Sequence, residues 1–407
     1  VRILFAPHGT RGDIQPLVAL AQALETRGHR VTFVAPQNAV DWVQARGFAC
    51  ESNGVDVEAQ VRSLASSMSR MRRQLRRIGD EIIPRLFESV ARAAVDADLL
   101  VSSGIPLSAA SVAEARGIPH VYALFCPGAL PNTAGPPPVV KRQTLPGWMN
   151  ALLWRVLPLA GDVALRPALN RGRASLGLAP TDAPLKNLRS SRILVAADPE
   201  LAPIVGGLPS RGLGTDPWIF RDTSALDGRV EAFVRAGSPP IYVGFGSMVA
   251  RPSLDVGQCV VRAARLAGRR VIVAGGWASI DKGLPASDDV LAIAEAPHDK
   301  LLPLVAAAVH HGGAGTTTAA FRAGIPQLIV PHVLDQFYWG RRVELLGIGP
   351  RALPVEALSD EALARRIAAT LDDRAFSDRA KSLSLQAAGR DGVAAAVEYL
   401  ERCDVRR

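Results

Sequence analysis

The chain has 407 residues, with 47 Lys plus Arg against 38 Asp plus Glu and a formal net charge of +9. That length favours two or three domains over one. Hydrophobic residues at 48% and charged residues at 21% exclude wholesale disorder, and no run reaches the roughly 18 apolar residues of a membrane-spanning helix.

The opening stretch, Val1–Pro7, reads as a strand and not a signal peptide, since no charged region precedes a longer apolar run. A helix is expected over Pro16–Gly28, with further strands at Arg30–Pro36, Leu99–Ser103, His120–Phe125 and Arg192–Ala196. Between them, residues 61–78 place Val61, Leu64, Met68, Met71, Leu75 and Ile78 at steps of three and four, which is one face of a helix. Six arginines (62, 70, 72, 73, 76 and 77) flank that face with no acid among them, so the rest of the chain carries only +3 of the +9. This basic helix reads either as a solvated face or as a rim that attracts an anionic acceptor, a carrier protein or a lipid headgroup.

The segment Cys126–Trp148 is irregular and Pro-rich, as functional loops often are. Leu208–Thr223 is dense in Gly, Pro, Ser and Thr and reads as a linker. Beyond it, strands at Ile241–Gly246, Arg270–Ala274, Val290–Glu295, Ala307–His311 and Gln327–Pro331 alternate with helices at Leu254–Gly268, Thr316–Gly324 and Asp335–Gly347. Many of the strands are continuous apolar runs, as in parallel sheets covered on both faces. The expected architecture is α/β, two doubly wound domains facing a cleft. Residues 1–207 would form the first domain, 208–237 the linker and 238–390 the second domain, with a terminal helix in 391–407 packing back on the first. Four cysteines lie far apart without metal-type spacing, which suits a reduced cytoplasmic protein.

Chemistry concentrates in Ala307–Gly349, AAVHHGGAGTTTAAFRAGIPQLIVPHVLDQFYWGRRVELLGIG. Gly312, Gly313 and Gly315 clear a turn from strand to helix, and Thr316 and Thr317 stand in the helix's first turn. Free N–H groups, the dipole and two hydroxyls make an anion site, to which His311 could add a donor or a charge. Spacing alone goes no further.

The run HHGGAGTT followed by GIPQLIVPHVLDQFYWGRRV resembles the donor-sugar signature of family 1 glycosyltransferases, nearest to bacterial natural-product glycosyltransferases and sterol glucosyltransferases. Three more matches occur in the right order. Gly9-Thr10-Arg11-Gly12-Asp13-Ile14-Gln15-Pro16 resembles the family's amino-terminal turn, Gly244-Phe245-Gly246-Ser247 the motif after the first donor-domain strand, and Trp277 with Ala296-Pro297-His298 the nucleoside-facing segments.

The resemblance implies the GT-B fold, two Rossmann-like domains with donor on the carboxyl-terminal half and acceptor on the amino-terminal half, and inversion at the anomeric carbon. It also implies that His311, Gly313, Gly315, Thr316 and Ser247 meet the donor diphosphate. Asp335 and Gln336 would hydrogen-bond the sugar hydroxyls, and Trp277 and His298 would hold base and ribose, although Trp277 could equally be core. Arg11 beside Gly12 would reach a phosphate or brace the turn. The resemblance implies a UDP- or dTDP-sugar as co-substrate, with no further cofactor and no metal. The lone D-x-D of the first half, Asp96-Ala97-Asp98, sits where a helix runs into a strand and reads as a solvated cap.

An acceptor hydroxyl needs a base. The resemblance assigns that role to Asp13, with His8, one residue before Gly9, as the alternative. An ordinary aspartate is a weak base for an alcohol, and desolvation would strengthen it. For the acceptor, Met68, Met71, Phe125 and Trp148 are expected to line a pocket for a lipophilic small molecule such as a polyketide, macrolide or sterol. A dinucleotide oxidoreductase would want G-x-G-x-x-G after the first strand, where HGTRGD stands instead. A nucleotide-sugar epimerase or an inactive accessory protein on the same scaffold remain the competing readings. Nucleic acid is not an expected partner, because the basic run contains no aromatic residue. A peripheral membrane contact is compatible with it.

Overall fold

The computed structural model describes residues 1–64, 68–183, 192–246, 248, 253–277 and 279–403, with the side chains at 62–64, 68–72 and 253–255 left undescribed. Two wholly parallel sheets carry the chain. The first has β1 (Arg2–His8), β2 (Arg30–Ala35), β3 (Ala49–Ser52), β4 (Leu99–Gly104), β5 (His120–Leu124), β6 (Ile193–Ala196) and β7 (Leu213–Thr215), in the order β3-β2-β1-β4-β5-β6-β7. The second has β8 (Ile241–Gly244), β9 (Val271–Ala274), β10 (Val290–Ile293), β11 (Ala307–His310) and β12 (Gln327–Ile329), in the order β10-β9-β8-β11-β12.

Each strand is apolar on both sides because helices cover both faces of its sheet. In β1, Ile3 and Phe5 enter a core with Leu17, Leu20 and Leu24 of helix Arg11–Thr26, while Leu4 and Ala6 pack with Val90 and Val112 behind. The second sheet repeats this, with Ile241 and Val243 on one face and Tyr242 on the other. In both sheets the chain winds outward from the first strand and then returns to its other side. The return creates a switch point between β1 and β4 and another between β8 and β11. Ligands of such sheets bind at the carboxyl ends of the strands flanking that point.

Several expectations are corrected. The first helix begins at Arg11, not Pro16, because Thr10 is its N-cap. Pro16 lies inside it, and the bond it cannot make is to the carbonyl of Gly12, an exposed residue. Two short strands, β3 and β7, were too brief and too polar to stand out.

The stretch 208–237 is more than a linker. It contributes β7 to the first sheet, buries Trp218 in that domain's core and then forms helix Gly228–Arg235. Ala396, Val397 and Leu400 of helix Val393–Glu401 pack into the core around helix Arg11–Thr26, and Glu401 pairs with Arg27 at 2.8 Å.

The halves share a core. Cys126, Ala197, Leu201 and Ala202 of the first pack with Phe321, Trp339, Val343 and Ile348 of the second. Arg322 grips the fully buried Asp198 at 2.8 and 3.2 Å across the same boundary. No helix among the described residues is long and apolar enough to cross a membrane.

Candidate active site

Both switch points are lined by glycine turns. On the first sheet, β1 ends at His8 and the chain enters the helix through Gly9 and Thr10. Asp13 falls at the third position of that helix, where its carboxylate accepts the Thr10 amide at 2.9 Å. The Ser103 hydroxyl, at the end of β4, donates to the Asp13 carbonyl at 2.7 Å. Gly9 is required there, because a Cβ would lie 2.0 Å from Asp13 Oδ2. Burial, with the nearby charge of Asp335 second, raises the Asp13 carboxyl to about 7.

His8 does not share this setting. Its side chain is buried on the sheet's opposite face among Val34, Leu86, Val90 and Leu107, with Nδ1 unpartnered among the described residues. Desolvation lowers it to about 4, so it is neutral near pH 7. The alternation of β1 decides this. Residues 4, 6 and 8 face away from helix Arg11–Thr26.

On the second sheet, β11 delivers His310 and His311 to the turn Gly312–Gly313, and helix Ala314–Arg322 starts behind it without a side-chain cap. His310 is structural: Nδ1 accepts the Gly312 amide at 3.1 Å and Nε2 meets Gln327 Oε1 at 2.9 Å. The His311 ring lies between two glycines, where a Cβ on Gly246 would stand 3.0 Å from Cε1 and one on Gly313 2.5 Å from Nε2. Its Nδ1 makes no well-aligned hydrogen bond, although the Gly244 backbone lies near enough to act on the ring. Burial and the neighbouring His310, His332 and His298 hold it well below the usual range. It therefore offers a neutral N–H, not the charge that sequence reasoning allowed.

Thr317 turns inward, its hydroxyl donating to the Gly313 carbonyl at 2.8 Å, while Thr316 and Gly315 stay accessible at the helix start. Ser247 lies outside the described residues.

Trp277 donates its amide to the Gly246 carbonyl at 2.9 Å, which joins the turns after β8 and β9, and its side chain is only partly buried against the core. His298 Nε2 meets the hydroxyl of Tyr242 at 3.0 Å, and burial lowers its pKa to about 4. Arg11 reaches over the cleft to Glu295 and stacks on Trp42 at 4.9 Å, so it braces the two halves here. Gly12 is exposed beside it.

The expected sugar-binding pair is differently engaged. Asp335 receives the Trp339 indole N–H at 3.0 Å and the Cys126 thiol across the domain boundary, while burial raises its carboxyl. Gln336 accepts the amides of His332 and Val333 at 2.7 and 3.1 Å, and its nitrogen meets Met248 Sδ at 3.0 Å. In this arrangement Gln336 holds the loop rather than offering itself to a ligand. The preceding Leu334 is exposed with φ of 56°, a conformation disfavoured for a non-glycine residue.

Of the acceptor candidates, Phe125 is partly buried against the first-domain core, edge-on to Trp218 at 5.5 Å. Trp148 is 69% exposed at the start of helix Gly147–Ser175. The side chains of Met68 and Met71 lie outside the described residues. Asp96 and Asp98 both hold Arg2, at the amino ends of the strands and far from either switch point. Among the described residues no cluster of three His, Cys, Asp or Glu could hold a metal ion.

Sequence reasoning gave no role to Tyr242 or Trp339. Only the Tyr242-x-Gly244 spacing hinted at a partner, since Gly244 leaves room on the strand face where the Tyr242 hydroxyl lies.

Comparison with known proteins places these features. Residues 3–133 match the family described as Glycosyltransferase family 28 N-terminal domain, and residues 272–401 match Erythromycin biosynthesis protein CIII-like, C-terminal domain. Glycosyltransferase GtfE of Amycolatopsis orientalis is 36% identical over 355 residues, covering 86% of this chain and 85% of its own. Sterol 3-beta-glucosyltransferase UGT80B1 of Arabidopsis thaliana is 30% identical over 99% of this chain and 68% of its own length. Among solved structures, glycosyltransferase VinC in complex with dTDP superposes with a TM-score of 0.69 at 21% identity, covering 99% of both chains.

Proposed function

The chain belongs to the family 1 glycosyltransferases with the GT-B fold, and from that membership we propose that it moves a sugar from a UDP- or dTDP-sugar to a hydroxyl of a lipophilic small molecule, inverting the anomeric carbon. The observation that carries the reading is Asp13, raised to about 7 between the two halves. A carboxylate of that basicity suits general-base work near neutral pH.

In the proposed step the acceptor O–H gives its proton to Asp13 as its oxygen bonds to the anomeric carbon. The bond from that carbon to the diphosphate oxygen breaks, and the diphosphate leaves with the electron pair. The charge it gains is met by the free amides of helix Ala314–Arg322, the Thr316 hydroxyl and the His311 N–H. Those donors would make a metal unnecessary, and Ser247 would join them. His298 and Trp277 would border the base and ribose, and Asp335 would turn from Trp339 to a sugar hydroxyl once donor is bound.

Uridine and thymidine are the two donor nucleosides that this reading admits. VinC was solved with dTDP, which supports thymidine, while the sterol glucosyltransferase supports glucose and a sterol-like alcohol.

The test is Asp13→Asn. It should keep UDP or dTDP binding within about twofold while transfer falls by at least a hundredfold, and near-normal turnover would overturn the assignment. Inversion is read from the anomeric coupling constant of the product, and turnover in chelator tests the metal-free reading.

A further inference from the structure

Helix Gly147–Ser175 is tied down at its two ends and bare between them. Near its start, the Asn150 amide donates to the Thr133 carbonyl at 3.0 Å and the Trp154 indole to that of Gly135 at 3.0 Å. Near its end, Ala168, Leu169 and Gly172 are buried against the helical segment 78–93. Residues 155–160 between them, an arginine followed by VLPLA, are all exposed. Trp148, Leu152, Val156, Leu159 and Val163 recur at steps of four, four, three and four. They form one apolar stripe about 22 Å long, each residue 48–69% exposed.

The charge around the stripe is mostly positive, although Asp80 pairs with Arg171 at 3.1 Å and Glu81 with Arg77 at 3.5 Å. The helix has a single acid, Asp162, which is buried, and its exposed charges are Arg155 and Arg171. Helix Met68–Arg77 continues without a break into the segment at 78–82. A Cβ on Gly79 would meet Ala168 at 3.5 Å and one on Gly172 would meet the Phe87 ring at 2.5 Å, so segment 78–93 packs on the second half of the helix. Helix Met68–Arg77 thus leads into the segment packed on this helix, with Arg73, Arg76 and Arg77 exposed and no acid in its length.

We propose that this stripe with its flanking arginines is a docking surface for an anionic lipid bilayer. Apolar side chains would enter the boundary between headgroups and acyl chains, and the arginines would lie at the level of the phosphates. A second copy of the chain would bring the same positive charge against it. A partner's groove would cover one side, whereas six consecutive exposed residues point all round the helix.

Flotation of the full chain with phosphatidylcholine vesicles, with and without phosphatidylglycerol, tests this. The wild type should float with the anionic vesicles and be released by salt. Arg73→Gln/Arg76→Gln/Arg77→Gln should weaken partition about fivefold per arginine, roughly a hundredfold together. Val156→Asp/Leu159→Asp should abolish it while nucleoside diphosphate binding, as a check on folding, is unchanged. The proposal is overturned by no association at low salt, by equal association with both vesicle types, or by a dimer in light scattering that the Asp pair dissolves without any vesicle binding.

Discussion

Asp13 of the first domain and Asp335 of the second lie near enough that the Asp335 charge adds to burial in raising the Asp13 carboxyl to about 7. Each is also tied to its own half, Asp13 to the Thr10 amide and Asp335 to the Trp339 indole. The coupling between the two carboxylates therefore crosses the domain boundary.

For transfer, Asp13 must be ionised. We expect kcat/KM to rise with pH through about 7 and then level off. Asp335→Asn removes the neighbouring charge, eases ionisation and should move that acid limb to lower pH, whatever it does to the maximum rate. A limb that stays in place in the pH–rate profile would show that the two groups are not coupled.

The same carboxyl costs stability. Its folded value, about 7, lies above the ordinary 3.8, so the folded state holds the proton more tightly than the unfolded chain. Stability is therefore lost as pH rises from about 4 to about 7. Asp13→Asn should be more stable than wild type by ~1–4 kcal/mol at pH 8, with the gain vanishing near pH 3. Urea denaturation at the two pH values measures it.

Gly313→Ala places a Cβ 2.5 Å from His311 Nε2 and must displace that ring. Calorimetric titration should find nucleoside diphosphate binding weakened about tenfold, ~1.4 kcal/mol. Unchanged affinity would remove His311 from the diphosphate site.

Tyr242→Phe deletes the hydroxyl that His298 Nε2 meets at 3.0 Å, in a place cleared by Gly244. The ring then loses its fixed orientation. Donor KM should rise several-fold with kcat little changed, and ring-nitrogen NMR should show a shifted tautomer balance.

Arg322→Ala leaves Asp198 buried without its bidentate partner at the domain boundary. The loss should be about 3 kcal/mol by denaturant unfolding. Asp198→Leu/Arg322→Met should recover much of it, because neither partner is then left charged in the interior.

What the sequence by itself determined is local. Ten of the twelve strands among the described residues, the glycine turn at 312–313 and the helix behind it are set by neighbours a few residues apart, as is the opening strand that leads to Gly9. The fold class follows from their alternation. The tertiary structure alone decided which side chains meet. Residue parity in β1 turned His8 away from the cleft, and the Thr10 cap drew Asp13 into a helix instead of a loop. Asp335, beside Gln336 in the sequence, found its partners in Trp339 and in Cys126, 209 residues earlier. Phe125 went to Trp218, within the stretch read as a linker. Hydrogen bonds and burial at that range depend on strand register and on how two halves close, and no spacing along the chain encodes either.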